Sequence, residues 1–124
     1  MLWSWCKIIK AIVIFHVWVF HTICVFSQLI GHKAKISYEN SLIIREKYGF
    51  KEGQSECLNN LGVLQFSQKR FEDAKEYFNR SLQIDYEIGN LIGESYSLEN
   101  LGTVEEELGH IAGAENLYHQ SLEL

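Results

Sequence analysis

The chain has 124 residues and a net charge of −5, from 11 Lys and Arg against 16 Asp and Glu. That length suits one small domain with a real core. The acidic balance excludes nucleic acid as a partner, because phosphate contacts need clustered Lys and Arg, and here the basic residues alternate with acidic ones as on solvated helix faces. Proline is absent, so helices can run uninterrupted and glycine marks the breaks.

The first element is "AIVIFHVWVFHTICVF", residues 11–26, which carries no charge and only His16, His21 and Thr22 as polar side chains. Before Gly31 the only formal charges are Lys7 and Lys10, whereas the residues after it sum to −7. A membrane helix needs roughly 20 predominantly apolar residues. Residues 11–30 supply them, with Trp3, Trp5, Lys7 and Lys10 as interfacial anchors. A signal peptide also fits: Lys7 and Lys10, then the apolar run, then "VFS" ending at Ser27. Orientation is not readable, since Lys7 and Lys10 on one side balance Lys33 and Lys35 on the other. The cysteines, Cys6, Cys24 and Cys57, have no CxxC or Cys/His spacing; they predict buried or idle thiols, with no disulfide framework and no metal site.

From residue 27 onward the chain repeats itself. "SQLIGHKAKISYENSLII" (27–44) recurs as "SQKRFEDAKEYFNRSLQI" (67–84), matching Ala34 to Ala74, Lys35 to Lys75, Tyr38 to Phe78 and Ser41 to Ser81. Ala114, Tyr118, Ser121 and Leu122 take the same places 40 residues later. "YGFKEGQSECLNNLG" (48–62) recurs as "IGNLIGESYSLENLG" (88–102), again at an offset of 40. Within each unit the apolar spacing is helical: Leu58 and Leu61, then Phe71, Ala74, Phe78 and Leu82. Each unit therefore reads as two amphipathic helices. The spacing predicts helices near 54–67, 71–87, 91–108 and 111–123, preceded by one over 33–48. Gly49 and Gly89 suit left-handed helix ends. Gly62 and Gly102, with Ala74 and Ala114, allow close helix approach, while Phe78 and Tyr118 fill the wider gap a turn on. A large residue at Gly62 is expected to cost about 1–3 kcal/mol by overpacking.

This pattern resembles the tetratricopeptide repeat family, in its variety with units of about 40 residues. Leu58, Leu61, Gly62, Phe71, Ala74, Phe78 and Ser81 carry the resemblance in the central unit. In the last unit Leu98, Leu101, Gly102, Leu108, Gly109, Ile111, Ala114, Tyr118 and Ser121 carry it. It implies an all-α helical-hairpin solenoid (an α-α superhelix) over residues 31–124, with repeat 1 represented by its second helix at 33–48, repeat 2 at 54–87 and repeat 3 at 91–123. In that frame residues 14–27 stand where the first helix of the first repeat belongs. Trp18 takes the place of Leu58, but His21 replaces Leu61, Thr22 replaces Gly62, and no face is polar. A third reading of residues 1–30 follows: a divergent first repeat helix packed under the second, or the incidental leader of a truncated coding frame. The protein is then membrane-associated with soluble repeats, or cytoplasmic.

No catalytic constellation is present. His16, His21, His32, His110 and His119 form no HExxH and pair with no cysteine in a known motif. His110 and His119 read as surface residues, and Glu105–Leu108 as an acidic turn on a solvated face. The glycines recur with the repeat and form no phosphate-cradling loop. No cofactor is expected and the chain is not read as an enzyme. A repeat array offers the concave surface of its stacked first helices. The resemblance places Glu56, Asn59, Asn60, Val63 and Phe66 on it in the central unit, and Tyr96, Glu99, Asn100, Thr103, Glu106 and Glu107 in the last. Asn60 and Asn100 either bond a ligand main chain or serve bonds between helices. The basic residues that clamp a terminal carboxylate in chaperone-binding relatives are absent from these positions, so a bound protein or peptide is expected to be basic or neutral. Roughly three units are usually needed for a stable array, which leaves self-stacking or a longer array open. The reading is a non-enzymatic scaffold or adaptor. Its alternatives are a structural fragment without independent binding and a sensor module of a larger regulatory protein.

Overall fold

The computed structural model describes residues 2–124, with side chains from residue 8 onward. Among these there are five helices and no strand: α1 (Leu2–Lys47), α2 (Lys51–Ser67), α3 (Phe71–Ile88), α4 (Leu91–Glu107) and α5 (Ile111–Leu122). The fold is all-α and built of helical hairpins. It divides into two compact units, Met1–Ala34 and Lys35–Leu124.

In the first unit every side chain from Ile8 to Ile30 except Val19 is exposed, and no face of the helix is covered. Among the described residues α1 is the one helix long and apolar enough to cross a membrane. The side chains of Trp3, Trp5, Cys6 and Lys7 lie outside the described residues; Lys10 is exposed. The helix expected over 33–48 has no start of its own, because α1 runs unbroken from Leu2 to Lys47. The physical reason is that Gly31 stands alone. One glycine costs a helix only about 1 kcal/mol, and no proline is present to remove a backbone bond.

In the second unit the hairpins α2/α3 and α4/α5 follow one another with a spacing of 40, from Lys51 to Leu91 and from Phe71 to Ile111. Leu42, Cys57, Leu58 and Leu61 form one core cluster, joined by Tyr38, Tyr77 and Ile84. Ala74, Phe78, Leu101 and Val104 form a second, with Phe66, Phe71, Leu82, Leu108 and Leu117 against it. Each cluster joins residues of consecutive units. Burial along the array thus runs through the junctions, as in a stack in which each repeat rests on its neighbours.

Inside the hairpins, too, the helices approach closely. A Cβ on Gly62 would sit 2.5 Å from the Phe78 ring, and one on Gly102 would sit 2.5 Å from the Tyr118 ring. Leu98 and Ala114 are also buried. The turns between hairpins end on Gly49 (φ 71°) and Gly89 (φ 68°). Inside the hairpins the turn residue is Lys69 (φ 60°) in one copy and Gly109 (φ 82°) in the next. The α2 helix starts at Lys51, earlier than the expected 54, and its N-cap Phe50 makes no side-chain cap bond.

Candidate functional site

The first helices α2 and α4 share a seam lined by polar side chains. Asn59 donates to Ser81 Oγ (2.9 Å) and to Ser97 Oγ (3.2 Å), and its own carbonyl accepts from Asn100 (3.2 Å). One amide thus ties α2 to α3 and to both turns of α4 that face it. Beneath it, Ser55 donates to the buried Asp85 carboxylate at 2.5 Å, and the Ser81 hydroxyl lies within reach of both Ser55 Oγ (3.1 Å) and the same Asp85 oxygen (3.4 Å). Asn90 donates to the other Asp85 oxygen (2.8 Å). The serine rung recurs one unit on, with Ser95 and Ser121 at 2.9 Å. The cross-junction contact recurs as well: Cys57 with Ser41 at 3.5 Å, and Ser97 with Ser81 at 3.3 Å. Buried polar groups need partners, and here the repeat supplies them at a fixed spacing. Ser81 and Ser121 carry the repeat resemblance, but the sequence pattern assigns no role to Ser55, Ser95, Ser97 or Asp85. The signal that could have found them is the recurrence of Ser55/Ser95 and Ser41/Ser81/Ser121 at the same offset as the packing residues.

Glu105 lies elsewhere than expected. It belongs to α4, not to a turn, and is buried, while Glu106 and Glu107 beside it are exposed. Lys75 of α3 pairs with its Oε1, and His110 Nδ1 lies 2.7 Å from its Oε2. The Lys75 ammonium, then His110, hold the Glu105 carboxyl below its ordinary value, and the same carboxylate raises Lys75. The reading of Glu105 as a solvated acid is therefore corrected; His110 is a surface residue, 63% exposed, that also bonds the Glu105 carboxylate. One repeat earlier the same place is held by Gln65, with Arg70 in the place of His110, bonded at 3.3 Å.

The structure treats the residues expected on the concave surface in two ways. Glu56, Asn60 and Val63 are exposed along one side of α2, and Tyr96, Thr103 and Glu107 along the matching side of α4. Glu56 pairs with Arg45 (3.2 Å). Glu99 accepts from Ser121 (3.2 Å), and Glu106 accepts from the Tyr118 hydroxyl (3.1 Å), which also meets Thr103 (3.3 Å). Asn59 and Asn100 are engaged in the seam. Phe66 is half-buried against Phe71, with ring centroids 5.4 Å apart. The accessible face is thus mostly carboxylate, with Val63 and the 61% exposed Tyr96 as its apolar points. Among the described residues no three His, Cys, Asp or Glu side chains converge as metal ligands.

Residues 31–87 match one model of the tetratricopeptide repeat, and residues 95–124 match a second. The chain belongs to the tetratricopeptide repeat family. Tetratricopeptide repeats are in general protein–protein interaction modules and typically non-enzymatic. No curated protein matches the chain. The first tetratricopeptide match begins at Gly31, inside α1, so the family's boundary falls where the helix does not break. The apolar stretch before Gly31 lies outside both matches.

Proposed function

We propose that the chain is a non-enzymatic scaffold whose repeats hold a basic or neutral peptide segment across the exposed sides of α2 and α4, and whose residues 11–30 tether it to a membrane. The observation that carries the binding reading is the carboxylate face: Glu56, Glu99, Glu106 and Glu107 flank Tyr96 and Val63, and each helix turns its opposite side into the core. A cationic segment gains from that field, both in its rate of encounter and in its register. Tyr96 supplies an amphipathic contact of the kind that anchors interfaces. The tether is supported by length. Twenty helical residues rise about 30 Å, the thickness of the hydrocarbon core.

The test of binding is titration of the full chain with three fluorescent peptide pools: basic, neutral and acidic. Tight binding of the basic or neutral pool, weakened by Glu106→Gln/Glu107→Gln, is the expected outcome. A preference for the acidic pool would sink the proposal.

A further inference from the structure

The apolar stretch of α1 is not uniform. With about 100° of rotation per residue, His16, Phe20, Cys24, Val17 and His21 fall within an arc of about 140°, and they line one shallow groove along the helix. All three polar groups of this stripe are exposed. Thr22, on another side, is self-sufficient: its hydroxyl donates to Val19 O at 2.8 Å. Among the described residues neither imidazole has a hydrogen-bond partner. His21 sits close to the midpoint of residues 11–30. In the interior of a bilayer no water serves such a group, and polar side chains there turn toward a protein partner.

We infer that the membrane helix pairs with the same helix of a second copy through the His16–Cys24–His21 stripe. This rests on the membrane reading above. The occupant follows from chemistry and from count. Whatever covers the stripe must bring hydrogen-bonding groups into the hydrocarbon, and among the described residues no second helix of this chain is apolar enough to enter it. A second copy inserted in the same direction brings the required set at the required depths. An uncharged imidazole has one N–H donor and one bare nitrogen acceptor, and His16 and His21 stand at the two edges of the stripe, so each His16 ring can form a donor–acceptor pair with the partner's His21. Val17, Phe20 and the Cys24 thiol, between and beside the rings, pack without further polar demand.

The experiment uses the full chain. It is first reconstituted in phosphatidylcholine vesicles and washed at alkaline pH. It is then transferred to neutral detergent micelles under reducing conditions for sedimentation equilibrium. Expected are retention in the vesicles and a dimer in micelles. His16→Leu/His21→Leu, which keeps the helix apolar, should raise the dimer dissociation constant by about tenfold or more, taking two interhelical hydrogen bonds at the size measured between membrane helices. Phe15→Leu/Phe26→Leu, on the opposite side, should leave it unchanged. A retained chain that is monomeric, or a dimer indifferent to the loss of both imidazoles, overturns the pairing and leaves the tether standing. Release by the alkaline wash overturns the tether, and the pairing with it.

Discussion

Lys69 and Gly109 hold the same turn position one repeat apart, both with positive φ, and only glycine takes that conformation without steric cost. A side chain there costs roughly 1–2 kcal/mol, part of which glycine gives back through its freer unfolded chain. Lys69→Gly is therefore expected to stabilise the fold by about 0.5–1 kcal/mol in chemical unfolding, and Gly109→Lys to destabilise it by a similar amount. Glu105 yields a prediction of pH dependence. Its folded carboxyl titrates below the ordinary 4.5 because Lys75 and His110 hydrogen-bond its charged form. Its contribution is thus present above that ordinary value and lost as pH falls through the lower folded one. Lys75, raised above 10.5 by the same bond, keeps its contribution up to that region and loses it beyond. Glu105→Gln should lower stability at neutral pH by about 1 kcal/mol, and the two unfolding curves should converge at acid pH. Sequence reading could not reach this cluster. Three successive glutamates look alike on paper, and only the turn of α4 decides that Glu105 points inward while its neighbours meet water.

At the scale of the helix, the start of α4 is the best secured. The Asn90 side chain accepts from Gly93 N–H at 3.2 Å while its amide donates to Asp85. Phe50, Arg70 and His110, at the starts of α2, α3 and α5, make no such cap bond. Asn90→Ala should cost about 1–2 kcal/mol, more than Phe50→Ala or His110→Ala, as read from thermal unfolding of each variant. The same contrast explains which boundaries were legible. The starts of α3, α4 and α5 follow from the 3.6-residue apolar spacing locked to the 40-residue recurrence. The start of α2 was read late because Phe50 is not a residue type that announces a helix. The seam was only half legible. Asn59 and Phe66 stand at spacings that suit an open surface, yet Asn59 reaches Ser81 and Ser97 and Phe66 folds onto Phe71. Spacing assigns a side of a helix; it does not say how far a neighbouring helix leans over it.

For the whole molecule the decisive feature is the division of charge. The residues before Gly31 carry +2 and those after it −7, so the repeats present a strongly acidic field. A bound basic peptide should lose affinity steadily as salt rises past about 0.1 M, where the screening length falls to roughly 10 Å; titration at several ionic strengths reads this directly, and affinity indifferent to salt would place the contact on Tyr96 and Val63 instead. The junctions carry another consequence. Between α1 and α2 the buried-side group is Arg45, answered by Glu56 and by Gln54, whose amide reaches the Arg45 carbonyl. Between α3 and α4 the same place holds Asp85, answered by Asn90 and Ser55. The two repeats are alike in packing and opposite in sign where they meet. Duplicating the central repeat would set Asp85 against a second copy of Glu56, and placing the last repeat directly after α1 would leave Arg45 facing Tyr96. The array thus carries a written order: its units share one shape but cannot be shuffled, and a gene duplication of the central one would produce a junction that repels itself.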